Sequence, residues 1–357
     1  MRLKALLVVA AIVAGSAVSA QRALPPTRDQ FFATMGAYLD ILRIQAGIPG
    51  MAAAIVGDTS TEWAAAFGAR DIASVDPMKN DTPFQFDGLT QLVTTAMVLQ
   101  CVDQGTTTLT SPIGNYSPSS PDAAATVGQV LTQTTPTAGG LAFTYNLQRL
   151  ENLKFVIETC QGLTFRQAFT KTLQRLGMMD SVPGPDAPLP ELKNSDVASP
   201  ADAARYRSIL FRLPTPYAVS AQNTATVTSY TVKTLGAASG LISTVYDFAK
   251  FDLALKQGLL LRHDTLAAAW SNPVNADGLP LPHGMGWFVQ SYNGEPVVWQ
   301  YGISPAVSSS LVITLPNRNV TLILLANSDG LAKPASLVAG DVTVSPFAKI
   351  FLGLVVK

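Results

Sequence analysis

The order in which strand and helix patterns follow one another along the chain limits its fold more than any other feature. Short apolar stretches separated by turn residues, typical of strands, occupy residues 51–67 and 285–326. Between them, over residues 82–181, apolar residues recur mainly at helical spacing. Strands at both ends of a helical middle predict an α+β protein. Its antiparallel sheet is built from both chain ends and flanked by helices, with an inserted and mainly helical lobe.

This pattern predicts a single domain over residues 21–357. Residues 29–75 and 235–357, approximately, form its sheet lobe, and residues 76–234 form its helical lobe and loops. Helical spacing predicts a first helix over residues 29–46 and a closing helix over 345–356. Residues 181–216 are rich in Pro and Asp, which favours long surface loops with short helical pieces.

The first twenty residues have the pattern of a secretory signal. Arg2 and Lys4 give a basic start, residues 5–14 are apolar, and small residues lead up to Ala20. We expect cleavage after Ala20 and a periplasmic or secreted product. Beyond it, no apolar run reaches the roughly 20 residues that span a bilayer, so no stable membrane span is predicted.

Charge and cysteine content exclude several classes of function. Lys+Arg and Asp+Glu number 24 each, so no basic surplus indicates a nucleic-acid partner. The two cysteines, Cys101 and Cys160, would be able to pair in an oxidising compartment. Each lies in an apolar helical pattern, which favours buried free thiols. Neither has a metal-ligand partner at useful spacing, and no cofactor is predicted.

Five short segments together resemble one protein family. They are Ile-Pro-Gly at 48–50, Leu-Gly-Met at 176–178, Gly-Leu-Ile-Ser-Thr-Val-Tyr-Asp-Phe-Ala-Lys-Phe at 240–251, Gly-Met-Gly-Trp at 284–287 and Leu-Leu-Ala-Asn at 324–327. Their order and spacing resemble the serine β-lactamases, penicillin-binding proteins and related esterases, and the match covers nearly all of the chain after residue 20. The resemblance implies the β-lactamase/transpeptidase-like fold.

The chemistry that this resemblance implies needs three motifs. They are a Ser nucleophile with a Lys three residues later, a Tyr or Ser of a second motif, and a strand carrying Lys or His two residues before a Gly. Residues three apart lie on one face of a helix, so the Lys amine is placed to accept the Ser proton.

At the first motif this sequence has Gly88 in the Ser position and Gln91 in the Lys position. Glycine has no side chain with which to attack, and a Gln amide does not take up a proton at neutral pH. No Ser lies three residues before any Lys of the chain, so the loss does not depend on the alignment.

The other two motifs keep one residue each. Tyr145 matches the second-motif Tyr, and Leu147 replaces the Asn that contacts ligand in the family. On the third-motif strand Gln300 stands in place of Lys or His, and Gly302 is retained. Without a cation at position 300, a substrate carboxylate loses its charge-assisted partner.

We therefore predict an exported, non-catalytic member of the family whose remnant cleft either holds a small molecule or cell-wall fragment or is vestigial. One alternative is a working serine hydrolase or esterase with a relocated nucleophile, Ser304 or Thr90, assisted by Tyr145 or His283. The neighbours of His283, Pro282 and Gly284, favour a structural role at the start of a strand, and Ser304 resembles an ordinary loop serine. Another alternative is an envelope scaffold or binding protein that acts through its outer surface.

Overall fold

The computed structural model describes residues 27–190, 192, 196–333 and 335–356. The expected signal segment, residues 1–20, lies outside these ranges. Numbered along the chain, the strands are β1 (Gly50–Val56), β2 (Thr61–Asp71), β3 (Asp76–Pro77), β4 (Phe84–Gln85), β5 (Thr134–Thr137), β6 (Gly140–Phe143), β7 (Val182–Pro183), β8 (Tyr217–Val219), β9 (Ala225–Val227), β10 (Leu241–Ser243), β11 (Phe288–Tyr292), β12 (Glu295–Ser304), β13 (Ser308–Leu315) and β14 (Val320–Ala326). The helices are α1 (Arg28–Gln45), α2 (Thr90–Asp103), α3 (Val127–Leu131), α4 (Leu147–Leu150), α5 (Leu153–Gln161), α6 (Phe165–Arg175), α7 (Pro200–Phe211), α8 (Val245–Lys256), α9 (His263–Ala269) and α10 (Pro346–Val355).

The main sheet joins the two ends of the chain, as the sequence predicts. Its seven strands lie in the order β11-β12-β13-β14-β1-β2-β3, and all neighbours are antiparallel. The junction is the β1–β14 pair, in which Met51 lies opposite Ala326. The α+β class, with an antiparallel sheet built from both chain ends, is therefore confirmed.

Strand β1 is central because both of its faces are covered. All seven of its residues are buried. Successive side chains of a strand point to opposite faces, so Ala52 and Ala54 enter one hydrophobic core while Met51 and Ile55 enter the other. Helices α1 and α10 pack together on the second core, and α8 packs on β1 from the first.

Both terminal helices begin at residues suited to capping. Thr27 and Gln30 form a reciprocal capping box at the start of α1. Ser345 caps α10, and Pro346 occupies its first turn, where the missing N–H of proline costs no hydrogen bond. These two helices confirm the first and closing helices expected from the sequence. Within the described residues, no helix is both long enough and apolar enough to cross a bilayer.

One expectation about the helical lobe is wrong. Cys101 of α2 and Cys160 of α5 form a disulfide instead of remaining free thiols. Periodicity correctly predicted that each lies on a helix, but it carries no information about which helices are neighbours, and α2 packs directly on α5. In the segment expected to form loops with short helical pieces, the helical piece is α7, which begins at Pro200 with Ser199 as its cap and is twelve residues long.

Candidate functional site

Three separated segments meet at one end of β12. The first is a 3-10 turn, Asp87–Leu89, which leads directly into α2 and contacts β12. The second follows β6, where Asn146 caps the short helix α4 and places Tyr145 just before it. The third is β12 itself, which carries Gln300 and Gly302. We call Gly88, Gln91, Tyr145, Gln300 and Gly302 the motif cluster.

A chain of hydrogen bonds between uncharged groups joins the three segments. Gln91 Nε2 donates to the Gly88 carbonyl at 2.7 Å and to the Tyr145 hydroxyl at 3.1 Å. The Tyr145 hydroxyl donates in turn to Gln300 Oε1 at 3.3 Å. Gln300 Nε2 donates to the Gly286 carbonyl at 3.0 Å, which anchors the far end of the chain. The two glutamines thus connect the segments without any cation.

The turn that holds Gly88 packs directly on the backbone of β12. A Cβ atom built on Gly88 would lie 2.9 Å from the Tyr301 carbonyl oxygen and 3.3 Å from Gly302 Cα. A Cβ atom on Gly302 would lie 2.5 Å from the Phe86 carbonyl oxygen. Distances below 3.0 Å are ones that real Cβ atoms essentially never show. Position 88 therefore has no room for a serine side chain unless the turn or the strand moves.

Aromatic side chains close the motif cluster from solvent. The Tyr145 ring stacks on Tyr301 with ring centroids 5.9 Å apart, and it lies 5.4 Å from Phe288 and 5.9 Å from His283. The full aromatic cluster comprises Phe143, Tyr145, His283, Phe288, Trp299 and Tyr301. The side chains beneath it are sealed, since Gln91 is 1 % and Gln300 0 % exposed.

Burial also shifts the pKa values of the titratable side chains in and around the motif cluster. Desolvation, followed by the nearby Tyr301, raises the pKa of Tyr145, and burial raises the pKa of Tyr301 to about 12. Both phenols remain protonated at neutral pH, which is the reverse of what a tyrosine base requires. Desolvation lowers the pKa of His283 to about 3, so its imidazole is neutral. At neutral pH, Tyr145, Tyr301 and His283 are therefore all uncharged.

His283 lies against the motif cluster, although its sequence neighbours favoured only a structural role. It forms the expected bridge at the start of β11, opposite Phe288. Its Nε2 atom also lies 3.3 Å from Gln300 Nε2, and its ring packs among the aromatic cluster. The Asn-Gly turn at 293–294 could have indicated this position from the sequence. It sets the register of the β11–β12 hairpin, in which Phe288 lies opposite Trp299, the residue before Gln300.

Asp87, next to Gly88, has a buried carboxyl group that the sequence did not indicate as a site residue. Asp87 lies in the left-handed region at φ 46°, and its Oδ2 accepts a hydrogen bond from Ser308 Oγ at 2.6 Å. Among the described groups its Oδ1 has no hydrogen-bond partner. Desolvation raises the pKa of Asp87 to about 7. In the sequence, Asp87 stands out only as the one charged residue of the stretch 84–91.

The candidate replacement nucleophiles point elsewhere. Thr90 is fully buried, and its Oγ1 accepts a hydrogen bond from the Leu241 amide at 3.2 Å. Ser304 is not a loop residue: it ends β12, is buried, and shares a 3.0 Å hydrogen bond with Thr231 Oγ1. In the part of the chain that the structure describes, neither hydroxyl bonds to Tyr145 or His283.

Leu147, the remaining motif position, lies outside the motif cluster. Leu147 opens α4 and packs against the core of the helical lobe. No group of three His, Cys, Asp or Glu side chains suited to a metal ion occurs among the described residues.

Known proteins resemble the chain over nearly its whole length. The family model named Beta-lactamase matches residues 28–341. The chain belongs to the β-lactamase family. No curated protein is recognisably similar to it in sequence.

Solved structures share the fold at low identity. A penicillin-binding protein homologue from Pyrococcus abyssi is 16% identical, with a TM-score of 0.70 over 90% of this chain and 77% of the other. A D-amino acid amidase from Ochrobactrum anthropi SV3 is 18% identical, with a TM-score of 0.68 over 91% and 98%. A class C β-lactamase from Rhodobacter sphaeroides is 14% identical, with a TM-score of 0.62 over 83% and 94%. At these identities the likeness concerns the fold, and it confirms the β-lactamase/transpeptidase-like fold expected from the sequence.

Proposed function

We propose that this β-lactamase-family protein is a non-catalytic binding protein that is exported from the cytoplasm. The observation that carries the proposal is the closed contact at position 88, where glycine lies against the Tyr301 carbonyl and leaves no space for a nucleophile. The catalytic loss is large: removing the nucleophile of a serine protease costs about 10⁶ in turnover. The neutral Gln91 and Gln300 side chains provide no substitute base.

Burial of the motif cluster also bears on where a ligand binds. A cell-wall fragment entering the family cleft would have to displace the Tyr145 ring before it reached either glutamine. We therefore propose that the motif cluster stabilises the fold and that binding takes place on other surfaces of the protein. This favours the outer-surface hypothesis over a ligand held by the remnant cleft.

Export is supported by two independent features of the chain. Residues 1–20 have the composition of a secretory signal. The Cys101–Cys160 disulfide fits an oxidising compartment, because cytosolic thiols are generally kept reduced. Mass spectrometry of the protein isolated from culture, after alkylation without reduction, measures both features. A product starting at Gln21 with no alkylated cysteine is expected, and an intact amino terminus with two free thiols contradicts the proposal.

A turnover assay tests the catalytic part. Wild-type protein, Ser304→Ala and Tyr145→Phe are incubated with p-nitrophenyl acetate and with a chromogenic cephalosporin, and an active class C β-lactamase serves as the positive control. We expect the three proteins to match the rate without protein. Saturable turnover by the wild type that either substitution abolishes contradicts the proposal and identifies the hydroxyl responsible.

A further inference from the structure

A cavity of about 610 Å³ lies at the C-terminal end of α1 and shares no lining residue with the motif cluster. Its walls come from four separate parts of the fold. Leu42 and Ala46 belong to the end of α1, and Val219 to the β8–β9 hairpin. Leu331 lies in the 3-10 turn after β14, and Phe347 in the first turn of α10. Cavities that hold small organic ligands typically measure about 300–1,000 Å³.

Specific contacts hold the walls in place. Gly47 permits the hairpin to approach α1, because a Cβ atom there would lie 2.8 Å from Asn223 Cβ. Asn223 Nδ2 donates to the Gln45 carbonyl at 2.9 Å, which ties the hairpin tip to the helix. On the other side, Lys333 Nζ donates to the Val219 carbonyl at 3.0 Å. The hairpin is thus fixed at both edges, and the cavity is a built feature of the fold.

The two charged side chains that line the cavity, Asp329 and Lys333, differ in how accessible they are to a ligand. Asp329 is buried, and its Oδ2 accepts a hydrogen bond from the Ala306 amide at 2.9 Å. Lys333 lies 3.6 Å from the same oxygen, but its side chain is 56% exposed. A molecule that enters the cavity therefore meets apolar walls and an accessible ammonium group, while the carboxylate stays covered.

We propose that this cavity binds an amphiphile with an apolar chain and a single carboxylate. The chain lies between Leu42, Val219 and Phe347, where its transfer from water supplies most of the affinity. The carboxylate lies beside the Lys333 ammonium. Because that ammonium remains in contact with water and is already paired with Asp329, the charge contributes selectivity for an anion more than affinity.

A matched pair of probes tests the proposal: 11-(dansylamino)undecanoic acid and its methyl ester, which differ in the carboxylate charge. Binding is followed by the increase in dansyl fluorescence. Wild-type protein is expected to bind the acid more tightly than the ester by roughly two- to five-fold, the range of an exposed ion pair. Lys333→Gln is expected to abolish this preference, and Lys333→Arg to keep it.

A second pair of variants tests the location. Ala46→Phe fills the cavity and is expected to weaken the binding of both probes by at least about ten-fold, the effect of losing roughly 1.4 kcal/mol. Ala37→Phe adds the same side chain at an exposed position of the same helix and is expected to leave binding unchanged. Circular dichroism melting of each variant confirms folding. The proposal is overturned if wild type binds neither probe, if Ala46→Phe binds both normally, or if Lys333→Gln still prefers the acid. These results do not depend on whether the motif cluster is catalytic.

Discussion

Replacing Gly88 with alanine is expected to destabilise the protein, although glycine-to-alanine changes often stabilise. The new Cβ atom would lie 2.9 Å from the Tyr301 carbonyl oxygen, a backbone atom of β12 that cannot rotate away as a flexible side chain can. Overpacking of this kind costs about 1–3 kcal/mol. Alanine also lowers the conformational entropy of the unfolded chain, which raises the free energy of unfolding by about 0.4–1 kcal/mol. The expected net loss is therefore about 1–2 kcal/mol.

Urea denaturation followed by tryptophan fluorescence measures this loss. With an m-value of about 3 kcal/mol/M, the midpoint should fall by roughly 0.5 M. Gly353→Ala is the matched control: this glycine lies in α10 with nothing near its would-be Cβ, so alanine there should raise stability by about 0.5–1 kcal/mol. If Gly88→Ala leaves the midpoint unchanged or raises it while Gly353→Ala behaves as expected, the turn is not packed on β12 as described.

Three further predictions concern the same region and the disulfide. Folding raises the pKa of Asp87 from 3.8 to about 7, so the folded state holds this proton more tightly, and stability should fall by about 4 kcal/mol as pH rises from 4 to 7 and then level off. Asp87→Asn, which tolerates the positive φ, should remove that part of the pH dependence in urea titrations, and an unchanged profile contradicts it. Replacing Cys101 and Cys160 with serine opens a loop of 59 residues and should cost about 4 kcal/mol in the same assay, whereas a loss below about 1 kcal/mol argues against the pairing. The double variant Gly88→Ser/Gln91→Lys should remain unlabelled by a fluorescent penicillin, because position 88 lacks space and the lysine would be buried; a label on the serine introduced at position 88 contradicts the closed geometry.

Much of the fold follows from local patterns in the sequence. The apolar stretches at both ends predicted strands that pair as β1 with β14, and helical spacing located α1, α2, α5, α8 and α10. These elements are long or bounded by clear turn residues, so one periodicity dominates each of them. The Asn-Gly turn at 293–294 is a further case, because its chemistry specifies the β11–β12 hairpin by itself.

The features that the sequence did not reveal depend on contacts between distant segments. The disulfide requires knowing that α2 and α5 are neighbours, which neither helical pattern contains. The burial of Asp87 depends on β13, whose Ser308 donates a hydrogen bond to it from 221 residues further along the chain. The resemblance brought together the segments of Gln91, Tyr145 and Gln300, but not the fact that their side chains hydrogen-bond to one another and are covered by aromatic rings.

The glutamine at position 91 suits the buried, uncharged surroundings of the motif cluster better than a lysine would. A lysine at position 91 would place a charge where the present side chain is 1 % exposed and has neutral hydrogen-bond partners. Burying such a charge without a partner is costly. Glutamine fills the same space and makes two hydrogen bonds without a charge. On the proposal that the protein is non-catalytic, the motif cluster is structural, and the protein should carry out no acyl transfer.

The proposal that the protein carries out no acyl transfer is tested by intact-protein mass spectrometry after incubation with excess benzylpenicillin and, separately, with a fluorophosphonate. Attack by a serine on the fluorophosphonate would leave a stable phosphonyl adduct, and attack on benzylpenicillin would leave a penicilloyl ester that persists where its hydrolysis is slow. We expect the unmodified mass in both cases, while an active class C β-lactamase treated in parallel acquires the phosphonyl adduct. A stoichiometric adduct on any serine or threonine of this protein would contradict the non-catalytic assignment.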